Sequence, residues 1–353
     1  MFPLEVVMQH MYCDSLGSVR LVEAADPVIE APTDVVVRVR ATTVCGSDVH
    51  LVHGHLPTPW GFSLGHEYVG EVVAVGAAVT RFAVGDRVVG PAAPWCGSCG
   101  ACRRGQTQRC ERGGVLGSGA RWGGWGGTMA ELLRVPWADM DLSRVPDGVT
   151  DAQALAVGDV LSTGWTAVRQ AVTDVGQVVV VLGCGPVGLS AVHTATLHAP
   201  RAIVAVDAMP DRLEVARTLG ATHALAAGDD VAAAVAEISG GVGADAVVEA
   251  VGLPVTLALA CDLVATGGRI GVVGIPAEPV PLPFAQLLFK NVTLWTGLGD
   301  LRHMDDLLRF IAEGRLDPSP MFTTTRPFAE IEQAYADMEQ RTPGVIKTLV
   351  TVP

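Results

Sequence analysis

The sequence predicts an α/β protein in which a β-rich domain is interrupted by a doubly wound parallel sheet. Short β-branched segments separated by glycine and proline occupy residues 1–155, whereas apolar strands alternate with helical patterns after about residue 158. Towards the C-terminus the pattern returns to mixed structure, with an amphipathic helix near MDDLLRFIAEG and a closing strand in VIKTLVT.

The first domain is predicted from three strand-like stretches. VVVRVRA at 35–41 and YVGEVVAVG at 68–76 are rich in β-branched residues, and GDRVVG at 85–90 indicates a turn followed by a short strand. Glycine and proline punctuate the sequence between such stretches. This pattern indicates a small barrel-like domain.

The second domain is predicted from its alternation. Strand-like and helix-like segments follow each other in units of about 25–30 residues, which is typical of a parallel, doubly wound sheet. The predicted strands are 178–183, 202–207, 244–252 and 268–275. One helix is predicted to begin near residue 186, and two more are predicted over 211–221 and around 254–265.

Length and composition limit the classes of function. A chain of 353 residues has room for two domains, and a hydrophobic content of 49% predicts a compact globular protein. The net charge of −13 argues against a nucleic-acid partner, because nucleic-acid binding depends on neutralising phosphates. No apolar run reaches the roughly 18 residues of a membrane span, and the N-terminus lacks the pattern of a secretory signal. We therefore expect no membrane partner and a cytoplasmic location.

The segment VVVVLGCGPVGLSAV carries a dinucleotide-binding signature. Gly183, Gly185 and Gly188 have the spacing G-x-G-x-x-G between an apolar strand and a helix, and Asp207 ends the next strand. The glycines allow a tight turn and the close approach of a pyrophosphate, whose negative charge the helix N-terminus favours. Asp207 can accept hydrogen bonds from ribose hydroxyls and would repel a 2′-phosphate, so we predict NAD rather than NADP.

Four of the eight cysteines form a short cluster. Cys96, Cys99, Cys102 and Cys110 follow the pattern C-x2-C-x2-C-x7-C. A disulfide knot is disfavoured in a reducing cytosol. A ferredoxin-type iron–sulfur cluster would need a shorter last interval followed by proline, whereas Glu111 follows here. Tetrahedral zinc suits four thiolates on such a knuckle, so we predict a zinc tetrathiolate.

The predicted tetrathiolate is a structural site. Four thiolates leave no open position on the metal, so the site stabilises a lobe and does not react. Its net charge would be about −2, which Arg103, Arg104 and Arg109 could offset as neighbouring donors.

These motifs resemble the zinc-containing medium-chain dehydrogenases/reductases, a family that includes alcohol, sorbitol and threonine dehydrogenases. The likeness covers essentially the whole chain apart from the first few residues. It implies a GroES-like catalytic domain over 1–158 and 299–353, with a structural zinc lobe at about 94–112, and a Rossmann domain over 159–298. It also implies a homodimer or homotetramer that pairs through the edge strand of the nucleotide domain.

The resemblance further implies a second, catalytic zinc with an open coordination position. Cys45 in CGSDVH and His66 in GHE match the family's first two ligands, and Asp159 in AVGDVLSTG stands at the third position. This set would make the site formally neutral, and the metal would lower the pKa of an alcohol. Glu67 matches a glutamate that lies near the metal. Taken singly, the three ligands could instead be a buried thiol, a core histidine and a helix N-cap.

The resemblance assigns further roles to residues around the substrate and the cofactor. Ser47 and His50 match the hydroxyl and the histidine that pass the substrate proton to solvent, although each could be an ordinary loop residue. His53 and His55 are assigned no role. The implied cofactor positions are Thr163 at the nicotinamide, Val187 at the pyrophosphate, Arg212 beside the adenosine, and Val273, Gly274, Ile275 and Leu298 around the nicotinamide carboxamide.

Three tryptophans are candidates for the substrate pocket. Trp60 lies between two predicted ligands in the sequence, and Trp122 and Trp125 lie in the glycine-rich run GSGARWGGWGGTMAE. The run could be a mobile aromatic lid or a loop in which the tryptophans pack. The absence of a charged cluster typical of a polyol or amino-acid site favours an apolar or aromatic alcohol, ketone or aldehyde.

Three functions remain open at this stage. The first is an alcohol dehydrogenase with two zinc ions per chain that transfers a hydride between an alcohol and NAD. The second is a redox-neutral enzyme, such as an epimerase, with a tightly held NAD. The third is a zinc- and nucleotide-binding sensor without catalysis, which would have no need of Ser47 and His50.

Overall fold

The computed structural model describes residues 7–353 and divides them into two compact units. The first contains the described residues up to Asp159 together with Asp300–Glu313 and Phe322–Pro353, and the second contains Val160–Gly299 and Gly314–Met321. The predicted fold class, a β-rich domain and a doubly wound parallel sheet, is confirmed.

Each predicted strand segment overlaps a strand of the structure, and further strands lie outside the predicted segments. They are β1 (Val7–Ser15), β2 (Ser18–Ala25), β3 (Val35–Thr42), β4 (Phe62–Ser63), β5 (Tyr68–Val75), β6 (Arg87–Val89), β7 (Leu132–Val135), β8 (Ser143–Arg144), β9 (Val178–Leu182), β10 (Ala202–Asp207), β11 (His223–Ala226), β12 (Ala244–Glu249), β13 (Val264–Val272), β14 (Thr293–Thr296), β15 (Phe322–Pro327) and β16 (Lys347–Thr351). Several boundaries differ: β12 ends at Glu249 and not at residue 252, and β13 covers Val264–Val272 and not 268–275, so that it begins inside the segment predicted to be a helix.

The helices are short and connect these strands. They are α1 (Gly46–Val52), α2 (Gly100–Arg103), α3 (Ala138–Asp141), α4 (Asp151–Val157), α5 (Val160–Ala171), α6 (Pro186–Ala195), α7 (Pro210–Thr218), α8 (Val231–Ser239), α9 (Pro254–Leu263), α10 (Phe284–Phe289), α11 (Met304–Ala312) and α12 (Ile331–Gln340).

The first unit is built from two largely antiparallel sheets. A three-stranded sheet has the order β2-β1-β4, and a larger sheet has the order β15-β16-β3-β5-β6-β8, with β7 also paired to β3. The central strand β3 is buried except at Arg38 and Arg40, which point to the opposite face from their apolar neighbours. The core between the sheets includes Tyr68 and Leu64, both fully buried next to the segment that carries His66.

The second unit contains one six-stranded parallel sheet in the order β11-β10-β9-β12-β13-β14. Strands β9 and β10 are buried along their whole length, which explains why their sequences are continuous apolar runs. The strand order reverses between β9 and β12, because the chain continues from β9 to β10 on one side and from β12 to β13 on the other. The carboxyl ends of β9 and β12 therefore border the crevice in which such sheets bind ligands.

Residues 314–321 belong to the second unit, although the sequence-based boundaries assign them to the first domain. A half-buried histidine of α6 holds this segment, because the amide N–H of Asp317 donates to Nε2 of His193 at 2.6 Å. The other ring nitrogen of His193 lies 3.0 Å from the carbonyl oxygen of Leu219. A segment distant in sequence is therefore attached to the nucleotide-type unit by a side chain.

Candidate metal and cofactor sites

The four cysteines of the predicted lobe converge in the structure. The sulfur atoms of Cys96, Cys99, Cys102 and Cys110, called here the tetracysteine cluster, all lie within 4.8 Å of one another. None of the eight cysteines, all within the described residues, forms a disulfide. Helix α2 begins directly after Cys99, and this short turn brings Cys102 back towards Cys99. The knuckle thus forms from local backbone geometry.

Backbone N–H groups point at the sulfur atoms. Burial opposes the charged form of Cys96, yet hydrogen bonds from the N–H groups of Ser98 and Cys99 outweigh it and lower the pKa of Cys96 to about 5. Burial raises the pKa of Cys102 to about 12, helped by its hydrogen bonds to neighbouring thiols. The cluster therefore favours some thiolates but resists four negative charges together. A divalent, thiophilic cation resolves this conflict, so the donor set fits zinc.

The charge of the cluster is offset by an arginine that the sequence analysis did not single out. The side chain of Arg112 hydrogen-bonds to Cys96, which raises the pKa of Arg112, and it also donates to Oγ of Ser98. Arg112 follows the last cysteine, whereas the predicted Arg103, Arg104 and Arg109 lie within the knuckle. The turn after Cys110 brings Arg112 back to the cluster, and sequence spacing does not reveal this return.

A second group of potential ligands lies elsewhere in the first unit. Cys45, His66 and Asp159, called here the mixed-ligand group, come together with Glu67 so that one ligand atom of each lies within 4.8 Å of the others. Nε2 of His66 is 3.4 Å from Oδ2 of Asp159, and Sγ of Cys45 is 3.9 Å from the same oxygen. A thiolate, an imidazole and a carboxylate at this spacing fit a zinc ion with room for a further ligand.

Each member of the mixed-ligand group lies in a short connection next to a helix or strand. Cys45 precedes α1, and Asp159 lies between α4 and α5. His66 lies in the extended segment between β4 and β5. Short connections around the sheet of the first unit therefore place donors separated by more than a hundred residues at one point.

Asp48 links two of these residues and was missed by the sequence analysis. Its Oδ2 accepts a hydrogen bond from the amide N–H of Cys45 at 2.8 Å, and its Oδ1 lies 3.2 Å from Nδ1 of His66. Burial disfavours a charged imidazole, but the charge of Asp48 and the hydrogen bonds to Asp159 and Asp48 raise the pKa of His66 well above its usual range. The carboxylate of Asp48 therefore faces Nδ1 of His66, and Nε2 is the ring nitrogen that faces the other ligands.

Glu67 is held by a buried lysine, which the sequence analysis also missed. Nζ of Lys347, on β16, lies 2.8 Å from Oε1 of Glu67, and both side chains are fully buried. Burial raises the pKa of Glu67 although Lys347 acts in the opposite direction. Oε2 of Glu67 is buried without a hydrogen-bond partner. A polar atom left in this state beside three potential ligands is consistent with a cation at the mixed-ligand group.

The two residues predicted to move protons have different surroundings. Oγ of Ser47 lies 3.4 Å from Nε2 of His66, so it is part of the mixed-ligand environment. Nδ1 of His50 lies 3.1 Å from Nδ1 of His55. His53, in the same segment, pairs with Glu339 at 2.7 Å. The histidines for which no role is predicted therefore form a chain of contacts that begins at His50.

The glycine turn of the second unit has the form required by a dinucleotide site. Gly183 has a φ of 91°, which favours glycine, and a Cβ on Gly188 would collide with the carbonyl group of Gly183. Gly185 is the N-cap of α6, and a Cβ there would meet no atom within 4 Å. Val187 lies in the first turn of α6. The turn leaves open space at the helix N-terminus, where a pyrophosphate binds.

Asp207 is fixed at the end of β10. Its Oδ2 accepts from the N–H of Cys184 at 2.6 Å, and its Oδ1 accepts from the N–H of Met209 at 2.8 Å. Nη1 of Arg212 lies 3.9 Å from Oδ2. The carboxylate is therefore held next to the glycine turn, with one guanidinium close to it.

Of the residues predicted around the nicotinamide, Thr163 lies on α5 and the others lie on the loops that follow β13 and β14. A Cβ on Gly299 would come within 3.0 Å of Cα of Thr163, so Thr163 lies beside the segment that carries Leu298. The N–H groups of Val273 and Gly274 both donate to the carbonyl oxygen of Glu249. Ile275 and Leu298 are exposed.

Glu249 organises these loops and was also missed by the sequence analysis. Its Oε1 accepts hydrogen bonds from the N–H groups of Val251 and Gly252 and from Oγ1 of Thr256. The side chain is fully buried at the end of β12. The sequence signal that could have identified Glu249 is an acidic residue near the end of an apolar strand.

The tryptophans of the glycine-rich run pack in the first unit. Nε1 of Trp125 donates to the carbonyl oxygen of Gly113 at 3.2 Å, and its ring meets Trp137 edge to face with centroids 5.5 Å apart. Trp122 is also packed against the core. These contacts support the packing alternative over the mobile lid. Trp60 is exposed and stacks on Phe62.

The chain matches two families of domains. Residues 31–147 match the alcohol dehydrogenase GroES-like domain, and residues 186–313 match the zinc-binding dehydrogenase domain. Across the described residues, no helix combines the length and the apolar character needed to span a bilayer.

Individual relatives match over nearly the full length. The "Probable zinc-binding alcohol dehydrogenase" of Mycobacterium tuberculosis is 37% identical over 338 residues, which cover 95% of this chain and 86% of that protein. The NADP-dependent isopropanol dehydrogenase of Thermoanaerobacter brockii is 33% identical, with 95% of this chain and 97% of that protein covered. The structure of an alcohol dehydrogenase from Thermus sp. ATN1 superposes with a TM-score of 0.93 at 37% identity, covering 98% of this chain and 100% of that chain. The chain therefore belongs to the zinc-containing medium-chain dehydrogenases/reductases, as the cysteine knuckle and the glycine turn indicated.

Proposed function

We propose that the protein is an NAD-dependent zinc alcohol dehydrogenase that interconverts an alcohol and its ketone or aldehyde. The observation that carries the proposal is the convergence of Cys45, His66 and Asp159, which would hold a catalytic zinc ion in the first unit. The tetracysteine cluster would hold a second, structural zinc ion. The glycine turn and Asp207 of the second unit would hold the nicotinamide dinucleotide.

The side chains around the mixed-ligand group support a path for the substrate proton. Zinc supplies Lewis-acid chemistry that lowers the pKa of an alcohol hydroxyl. Oγ of Ser47, which lies beside Nε2 of His66, would relay the hydroxyl proton by accepting it while passing its own proton on towards His50. Burial and then the positive charges near His50 lower the pKa of this histidine, so it is neutral at pH 7 and can take up a proton. The contact between His50 and His55 would carry that proton outward.

The preference for NAD is supported by Asp207. Its carboxylate is held in place by two backbone N–H groups and would accept the ribose hydroxyls while repelling a 2′-phosphate. Arg212 favours NADP instead, because its positive guanidinium lies 3.9 Å from the Asp207 carboxylate and would attract a 2′-phosphate. One relative is also named as NADP-dependent. We propose that the fixed carboxylate dominates.

The decisive experiment measures NADH formation by zinc-replete protein with primary, secondary, benzylic, polyol and hydroxy-amino-acid substrates, with NADP+ in parallel. We expect turnover of an apolar or aromatic alcohol with NAD+. The variant Asp207→Asn should improve NADP+ relative to NAD+ by about tenfold, because it removes the repulsive charge while keeping the side-chain shape. Faster wild-type turnover with NADP+ would contradict the cofactor preference, and silence with every substrate and both cofactors would contradict the dehydrogenase.

We further propose that two copies pair through strand β14. This strand is the edge of the six-stranded sheet, and Phe284, Leu288 and Phe289 of the preceding α10 are strongly exposed. A charge in this surface should separate the copies, so Phe289→Asp should halve the mass measured by light scattering. Val175→Asp puts the same charge on an exposed apolar residue away from this surface and should leave the mass unchanged. A dimer that survives Phe289→Asp would place the interface elsewhere.

The proposed thiolate ligands also bear on the compartment. Zinc thiolates require reduced cysteines, and all eight thiols are free in the structure. This chemistry supports a cytoplasmic location.

A further inference from the structure

We infer that Gly127, with Gly117, is a positioning residue for His66, so that the glycine loop sets the metal affinity of the mixed-ligand group. The glycine loop is defined as residues 113–129. The inference rests on the proposed metal centre, because it concerns how one of its ligands is held. It explains why this run contains so many glycines, which the lid hypothesis did not.

Residues 127–129 of the glycine loop bind the segment that carries His66. The N–H of Gly127 donates to Oγ of Ser63 at 2.6 Å, and the N–H of Met129 donates to the carbonyl oxygen of Leu64 at 3.0 Å. Thr128 makes two contacts with this segment. Its N–H donates to the carbonyl oxygen of Gly65 at 2.9 Å, and its Oγ1 donates to the backbone carbonyl oxygen of Glu67 at 2.9 Å. Hydrogen bonds thus bracket His66 on both sides.

The approach of the two backbones leaves no space for a side chain. A Cβ on Gly127 would come within 2.7 Å of the amide nitrogen of Leu64 and even closer to its carbonyl group. A Cβ on Gly117 would come within 2.6 Å of the amide nitrogen of Gly65. Both collisions are with backbone, which cannot rotate away as a flexible side chain can. An added methyl group must therefore displace residues 64–65, and His66 with them.

The opposite end of the glycine loop cannot absorb this displacement. A Cβ on Gly113 would collide with the carbonyl oxygen of Pro94 and lie 2.9 Å from Cβ of Cys110, so the loop starts tightly packed on the tetracysteine lobe. Trp125 also fixes the loop through its hydrogen bond to Gly113. The strain is instead directed at His66, whose ring is buried and aligned by Asp48.

Small shifts at this point matter because metal ligation is short-ranged. Zinc binds an imidazole nitrogen at about 2.0–2.1 Å, and ligands must be held within roughly 0.5 Å of the productive geometry. A displacement of a few tenths of an ångström at residues 64–65 is therefore expected to weaken the mixed-ligand group. The tetracysteine cluster contains no residue of the displaced segment and should be unaffected.

The test compares Gly127→Ala with Gly126→Ala. A Cβ on Gly126 would meet only Cδ1 of Leu133 at 3.9 Å, so this neighbouring substitution adds the same methyl group without a collision. Cobalt(II) is titrated into metal-free protein, and the absorption bands of a tetrathiolate site and a mixed-ligand site are followed separately. We expect Gly127→Ala to weaken the mixed-ligand site at least about tenfold, with the tetrathiolate site unchanged and Gly126→Ala equal to the wild type.

A milder variant keeps the test decisive if Gly127→Ala does not fold. Ser63→Ala removes the side-chain acceptor of the Gly127 N–H without adding volume, and it should weaken only the mixed-ligand site by about threefold. Wild-type affinity in both Gly127→Ala and Ser63→Ala would overturn the inference, as would equal weakening of both sites. If the wild type binds one cobalt ion per chain, in the tetrathiolate site alone, the proposed metal centre fails and the inference falls with it.

Discussion

The tetracysteine cluster and the mixed-ligand group lie in the same unit but are built in opposite ways. The four cysteines fall within one knuckle of the chain, and backbone N–H groups of that knuckle stabilise their thiolates. The mixed-ligand group draws on Cys45, His66 and Asp159, which only the folded sheet brings together. Its surroundings are buried charges, Asp48 and the pair formed by Glu67 and Lys347.

This difference indicates what stabilises each site. A local knuckle gains little from the rest of the fold, so its metal contributes directly to the stability of the lobe. A site made of distant residues takes its geometry from the folded sheet. The buried charges around it hold the ligands in place, and burying these charges costs desolvation free energy. Loss of a ligand should therefore damage stability in the first case and metal binding and turnover in the second.

The largest expected effect is loss of the lobe. Cys99→Ser leaves the zinc with three thiolates and should lower the melting temperature by roughly 10 °C, together with the soluble yield. Calorimetry with parallel metal analysis measures both changes, and one zinc ion per chain should remain. A variant with wild-type stability would show that the tetracysteine cluster does not support the lobe.

The next effect tests the buried ion pair. Lys347→Met leaves the carboxylate of Glu67 buried without a counter-charge and should reduce the free energy of unfolding by about 3–5 kcal/mol. The double variant with Glu67→Gln should recover most of this loss, because no unpaired charge remains. Denaturant titrations of the two single variants and the double variant give the coupling free energy between the Lys347 and Glu67 side chains. Simple additivity would argue that the pair is not energetically linked.

The third prediction separates chemistry from stability. Asp159→Asn keeps the shape of the side chain but removes the charge of a proposed ligand, so turnover should fall by about 100-fold or more while the melting temperature changes little. Zinc content and activity are measured on the same preparation. Full zinc and full activity in this variant would remove Asp159 from the ligand set.

The smallest expected effect concerns Asp48. Asp48→Asn keeps one acceptor for the N–H of Cys45 but no longer holds the Nδ1 proton of His66 with a charge, so zinc affinity should fall about 10–100-fold. Competition with a chelator measures the affinity. The tetracysteine cluster of the same protein is the internal control, and an equal loss at both sites would indicate general destabilisation.

Sequence reasoning reached these two sites by different routes. The spacing of the cysteines predicted a zinc site from the residues themselves, and the structure brings the four sulfur atoms together. Cys45, His66 and Asp159 were predicted only through resemblance to a family, because no local pattern connects them. Their role as ligands remains a prediction, although the structure places them within reach of one ion.

The supporting residues were out of reach for the same reason. Lys347 lies 280 residues from Glu67 in a strand whose pattern shows only that it is apolar. Glu249 and Arg112 instead bond to groups nearby in the sequence, through turns whose geometry the residue types do not specify. The pair of Lys347 and Glu67 depends on tertiary proximity, which periodicity and composition do not encode.

By itself, the sequence determined the class of the molecule. Alternating apolar strands and helices predicted the parallel sheet, the spacing of Gly183, Gly185 and Gly188 predicted a phosphate turn, and the local cysteine pattern predicted a tetrahedral site, because each signal lies within one short stretch of chain. The tertiary structure alone decided which buried charges face one another and why the glycine run must lack side chains. Those features depend on distances of a few ångströms between segments far apart in sequence, and only packing sets such distances.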